Sequence, residues 1–173
     1  MANTYTLIDK GEVGSGGSSA ITFTSIPSTY TDLKLVFTGR ITANSGIDAT
    51  ALNMKINNVS TNRSWRNVEA YGTSSSVFSF NNTNDQIAAI GGGSGQTANT
   101  FCNMEIYFPN YASANYKSYS VDFVNEDNST TRELILHAGL WSSTSAINEL
   151  SIYSSGQTLA QYSTAYLYGI SNS

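Results

Sequence analysis

Cys102-Asn103-Met104-Glu105-Ile106-Tyr107-Phe108-Pro109 decides the fold. Cys102, Met104, Ile106 and Phe108 fall on one side of a period-two pattern and Asn103, Glu105 and Tyr107 on the other, which is the signature of a half-buried β-strand. The run stops at an X-Pro junction, where the preceding residue is held extended and the next residue lacks a backbone N–H. Upstream, Asp32 to Ile41 repeats the pattern, with Leu33, Leu35 and Phe37 against Lys34, Val36 and Thr38. Leu52, Met54 and Ile56 do the same, as do Ile21 with Phe23 and the opening Tyr5, Leu7 and Asp9. Downstream come Tyr119, Val121 and Phe123, then Leu134, Leu136 and Ala138 alternating with Glu133, Ile135 and His137. Leu150 with Ile152 form a short strand, and Tyr162, Thr164, Tyr166 and Tyr168 face away from Ala165 and Leu167.

Two stretches break the rhythm. Ser64 to Tyr71 reads as an irregular strand or a short turn, because Trp65, Val68 and Ala70 fit neither the strand nor the helix period well. Gly72 to Asn84, rich in Ser, Asn and Thr, reads as a long loop, and Gly91-Gly92-Gly93-Ser94-Gly95 extends the irregular region. About eight to ten short strands with polar turns and no repeat at a fixed period predict an all-β antiparallel sandwich, jelly-roll-like, over residues 1–173 as a single domain.

Composition agrees. The 173 residues include 26 Ser, 19 Thr, 18 Asn and 14 Gly, while only 12% are charged, against about a quarter in ordinary globular proteins. Good helix formers are scarce, and Ser, Thr and Asn compete with helical hydrogen bonding. With 12% aromatic residues and 2 Pro, the chain does not have the composition of a disordered protein. A net charge of −4 gives no basic footprint for nucleic acid or an anionic membrane, and no apolar run is long enough for a membrane helix. No basic-then-apolar leader opens the sequence, so synthesis in a cytoplasm is expected.

The inventory for catalysis is thin: one His, one Cys and twelve carboxylates. His137 lacks a Gly-x-Ser-x-Gly elbow and reads as a strand-face histidine. Cys102 alternates in phase with Met104 and Ile106, as a small buried hydrophobe does. Glu105 with Asp122, or Glu126 with Asp127, are the carboxylate pairs a glycan-cleaving site would draw on. Glu126-Asp127-Asn128 falls in a polar turn, where a Ca²⁺ site is conceivable but the EF-hand glycine is missing. The glycine run from Gly91 lacks the Lys-Ser/Thr of a phosphate loop. No enzyme activity, cofactor or metal is therefore expected. Eleven Tyr and two Trp on a chain with so little chemistry point instead to adhesion, with Trp65, Tyr71, Tyr111 and Trp141 as expected interface anchors.

Several segments resemble a family of small proteins of tailed bacteriophages. They are Ser64-Trp65-Arg66-Asn67-Val68-Glu69-Ala70-Tyr71-Gly72, Glu105-Ile106-Tyr107-Phe108-Pro109-Asn110-Tyr111-Ala112, Ala138-Gly139-Leu140-Trp141-Ser142 and Gln161-Tyr162-Ser163-Thr164-Ala165-Tyr166-Leu167-Tyr168-Gly169-Ile170. The opening Met1 to Ile8 and the segment Ile21 to Leu33 are similar too, so the resemblance covers nearly the whole chain. It implies a virion structural protein without enzyme activity, of the head-decoration or tail-fibre kind. A fibre needs an attachment region and a shaft, and the matched segments already span the sequence. The expectation is therefore a capsid decoration (cement) protein on the virion surface, partnered by the major capsid protein and by copies of itself as a homotrimer. The alternative is a receptor- or glycan-binding tip of a tail or head fibre, contacting sugar through Thr73 to Thr100.

Overall fold

A computed structural model describes residues 4–42, 49–72, 77–91, 97–126 and 133–171. Twelve strands and no helix make up the described chain: β1 (Tyr5–Glu12), β2 (Ala20–Phe23), β3 (Asp32–Gly39), β4 (Ala49–Ile56), β5 (Arg63–Tyr71), β6 (Val77–Asn82), β7 (Gln86–Gly91), β8 (Cys102–Phe108), β9 (Lys117–Asn125), β10 (Glu133–Trp141), β11 (Leu150–Ser154) and β12 (Thr164–Ile170). They form two antiparallel sheets, one of eight strands in the order β1-β12-β3-β8-β9-β10-β5-β6 and one of four in the order β2-β11-β4-β7. The chain crosses repeatedly between them. β1-β12-β3-β8 in the large sheet is matched strand for strand by β2-β11-β4-β7 in the small one. The remaining strands, β9-β10 and β5-β6, continue the large sheet past β8.

The core lies where the two sheets face each other. β8 and β9 alternate buried and exposed without a break, placing Cys102, Met104, Ile106, Phe108, Tyr119, Val121 and Phe123 inside. Leu33, Leu35 and Phe37 of β3 continue that layer, and Phe23, Leu52, Met54, Ile56, Leu150 and Ile152 close it from the small sheet. Replacing one of the fully buried phenylalanines by alanine would remove about 3–5 kcal/mol.

Two expectations need correcting. Ser64 to Tyr71 is regular strand within β5. Its inward positions include Arg63, Trp65 and Asn67 while Val68 and Ala70 point outward, so the hydrophobic alternation is inverted and the period is hidden. Gly72 to Asn84 is not one long loop: β6 occupies Val77–Asn82, and β7 follows at Gln86–Gly91. Serines and asparagines in β6 mask it, because strand propensity there yields to pairing with β5.

Gly139 shows how tightly the extension is packed. It sits opposite Tyr119 across the β9–β10 pair, and a Cβ at this position would overlap the Tyr119 ring. That ring is held from its other sides by Phe108 at 5.4 Å and His137 at 5.8 Å between centroids. Gly139→Ala is expected to destabilise the fold by about 1–3 kcal/mol through overpacking. Removing the ring as well, in Gly139→Ala with Tyr119→Ala, should cost less than the two single changes added together, as urea denaturation of all four proteins would reveal.

Candidate functional site

The extension β9-β10-β5 has two unlike faces. Its inner face carries an aromatic and polar cluster. His137, the chain's one histidine, is buried between Trp65, at 5.1 Å between ring centroids, and Tyr119. Directly across from it on β5 is Asn67, also buried. Burial, with the nearby positive charge of Arg63 adding to it, pushes the His137 imidazole down to about 4. The imidazole is therefore neutral at physiological pH. Burial also lowers the Arg63 guanidinium, whose Nη2 donates to the Val59 carbonyl at 3.0 Å, and raises the Tyr119 phenol. His137 Nε2, Asn67 Oδ1, Tyr119 Oη and Arg63 Nε and Nη1 are buried without a protein hydrogen-bond partner. Trp65 Nε1 donates to Asn84 Oδ1 at 3.0 Å, and the Tyr153 hydroxyl donates to Asp85, which tie the turn between β6 and β7 to both sheets.

The outer face is aliphatic where an outward face would ordinarily be polar. Leu136 is 54% exposed, Val68 47% and Leu134 46%, and Val124, Ala138 and Ala70 are exposed beside them. Register makes this a patch and not a scatter: Val124 pairs with Leu134 and Leu134 with Ala70 in one row, while Leu136 pairs with Val68 in the next. Arg66, Val68, Ser120, Asp122, Leu136 and Ala138 border a shallow depression of about 560 Å³ on this face. Arg66 flanks it on β5 and Asp122 on β9, and Glu105 beyond Asp122 is paired with Lys34 at 2.7 Å.

The expected anchors sit elsewhere. Trp65, Tyr111 and Trp141 are buried within the chain, and the side chain of Tyr71 lies outside the described residues. Tyr111 is wholly enclosed, its hydroxyl donating to the Pro27 carbonyl. Trp141 lies under Lys117, whose Nζ is 5.7 Å from the ring. As placed, these three rings hold the sandwich together and are not free to touch a partner. Sequence reading missed Leu134, Leu136 and Val68 because alternation alone does not say which face of a strand is covered. The available signal was the partner set: Ile135, His137, Gly139 and Trp141 carry the larger rings and the close-packing glycine, and that is the face turned inward.

Among the described residues, Cys102 and His137 are not brought together. Cys102 is buried on β8, its thiol pushed up to about 12 by desolvation, and β9 separates it from the strand that carries His137. Glu105 and Asp122 are cross-strand neighbours on the outer face of the large sheet. Asp127 and Asn128 lie outside the described residues, as does most of the glycine run after Gly91. Among the described residues, no three His, Cys, Asp or Glu side chains gather as metal ligands, and no helix is long and apolar enough to cross a membrane. The chain matches no protein-family model and no curated protein.

Proposed function

We propose that this protein is a structural component of a tailed-bacteriophage virion, a capsid decoration protein that grips the outside of the head and stabilises its lattice. The observation that carries the reading is the aliphatic patch on the outer face of β9-β10-β5, since contiguous exposed apolar surface marks a contact site. The resemblance of the chain's segments to small phage proteins supports it. So does the strand order: we read the nested β1-β12-β3-β8 and β2-β11-β4-β7 set as jelly-roll-like, an architecture used in viral capsid domains, with β5-β6 and β9-β10 as added hairpins. The insertions enlarge one sheet and create the surface that carries the patch.

The mechanism is mechanical. Each copy seats its patch on the major capsid protein, with Leu136 and Val68 at the centre and Arg66 and Asp122 at the polar rim. Assembly of the copies as homotrimers would let each unit bridge neighbouring capsid subunits, so that avidity substitutes for strong individual contacts. Only 12% of the residues are charged, which keeps such contacts insensitive to salt.

Leu136→Lys with Val68→Lys tests this. Both side chains are exposed, so the change should leave stability within about 0.5 kcal/mol. Co-sedimentation with undecorated heads should weaken at least about 30-fold, as loss of central apolar contacts does. Undiminished head binding by a folded double variant would rule the patch out as the contact. Binding of the wild type to tails or host-cell glycans in place of heads would favour a fibre-tip role.

A further inference from the structure

Two charges stand unpaired on opposite flanks of the aliphatic patch. Arg66 on β5 and Asp122 on β9 are both exposed, and neither has an ion-pair partner among the described residues. Glu105, beside Asp122 across the β8–β9 pair, is already matched by Lys34. Register fixes the arrangement. Arg66, Ala138 and Ser120 form one row across the three strands, and Val68, Leu136 and Asp122 form the next. Arg66 and Asp122 are thus diagonal corners, about 12 Å apart between Cα atoms from the strand spacing and rise, with Leu136, Val68 and Ala138 between them.

A face with one charge of each sign at diagonal corners of an apolar centre is complementary to itself. A two-fold axis lying in the plane of the face, and crossing β10 between Leu136 and Ala138, carries the Arg66 corner onto the Asp122 corner. In a pair built about that axis each guanidinium meets the other copy's carboxylate, once on either side, as an isologous contact requires. Leu136 of each copy then lies over the depression of about 560 Å³ on the other, where Leu136, Val68 and Ala138 receive it. Partners of one strong charge are poorly matched here, since the two corners cancel and neither sign forms a run. The two rows across three strands cover a small face, below the size of a permanent interface, so the pair is a reversible one.

We infer that two copies of this chain pair through the outer face of β9-β10-β5, with Leu136 and Val68 at the centre and two Arg66–Asp122 ion pairs at the rim. The inference rests on the reading of this patch as a contact face. Head binding uses the same face, so the two contacts exclude each other: a free copy keeps its aliphatic surface covered until a head takes the second copy's place.

Analytical ultracentrifugation without heads tests the pairing. The wild type is compared with Leu136→Lys plus Val68→Lys at equal concentration, so that any assembly through other surfaces cancels. A wild-type mass rising toward twice that of the variant is expected as concentration approaches about 1 mM, the range of transient contacts. Arg66→Asp sets carboxylate against carboxylate on both sides of the axis and should weaken pairing at least about tenfold. Arg66→Asp with Asp122→Arg restores the match and should return pairing to within about threefold of the wild type, a rescue that contact with an unrelated surface does not predict. All four side chains are exposed, and unchanged circular dichroism would confirm that the variants fold. Equal masses for wild type and the lysine variant up to that concentration, or no rescue by the charge exchange, would overturn the inference. Head co-sedimentation is read separately, so loss of one contact with retention of the other tells the failure of pairing from the failure of the capsid role.

Discussion

Lys117→Met is expected to destabilise the protein by about 3–5 kcal/mol, through loss of a buried cation that ties loops together. Lys117 begins β9, opposite Trp141 on β10, and is 1% exposed. Its Nζ donates to the Ser113 and Ser145 carbonyls, each at 2.6 Å, and to the Ser143 carbonyl at 3.3 Å. These three donations use every proton of the ammonium and satisfy carbonyls of the loops on both sides of the β9–β10 pair. Burial lowers the ammonium pKa, but the carbonyl cage keeps the charged form in place. Methionine fills the same volume and donates nothing, leaving the carbonyls desolvated and unmatched. For a chain of 173 residues the loss corresponds to a fall in melting temperature of roughly 10 °C. Calorimetry showing a change within about 1 °C would mean that the loops find other donors.

The second large effect is with pH. In the unfolded chain His137 takes up its proton near pH 6.5, whereas in the fold it does so only near 4, because the imidazole is buried among Trp65, Tyr119 and Asn67 beside the Arg63 charge. Between those values the unfolded state binds more protons, so stability falls as pH falls through the window. The loss approaches about 3 kcal/mol at pH 4 and is complete below it, while above pH 6.5 the contribution is full. Urea midpoints of wild type and His137→Gln, compared from pH 7.5 down to 4 in steps of about half a unit, isolate this group from the carboxylates that titrate with it. The two curves should converge in shape above 6.5 and diverge below. Parallel curves across the whole range would place the histidine in a solvated setting.

The fold class was legible because the strands that make the centre of the sandwich advertise themselves. Through the middle of β3, β8 and β9 the inward side chains are apolar, with Lys117 and Asn125 buried only at the two ends of β9, and the sequence pattern and the burial pattern coincide. The extension was harder to read for a physical reason. On β5 and β10 the inward face mixes Arg63, Asn67, His137 and Gly139 with rings, and the outward face carries leucine and valine. Polarity thus no longer marks which face is covered, and the covering is decided by which hairpin lies against which sheet. Adhesion as the mode of action was suggested by the aromatic content, yet Trp65, Tyr111 and Trp141 went to the interior. Aliphatic side chains make the exposed patch, and their exposure follows from register between strands far apart in sequence. Lys117 escaped notice for a similar reason: its partners are carbonyls of two loops, which carry no residue signature.

Cryo-electron microscopy of virions carrying this protein tests the central proposal most directly, because it returns position, copy number and orientation together. The account predicts density for this sandwich on the outside of the head, in fixed proportion to the major capsid protein. The outer face of β9-β10-β5, with Leu136 and Val68 at its centre, should be turned against the capsid. A few copies at the tail, or head-bound copies with that face turned to solvent, would contradict it.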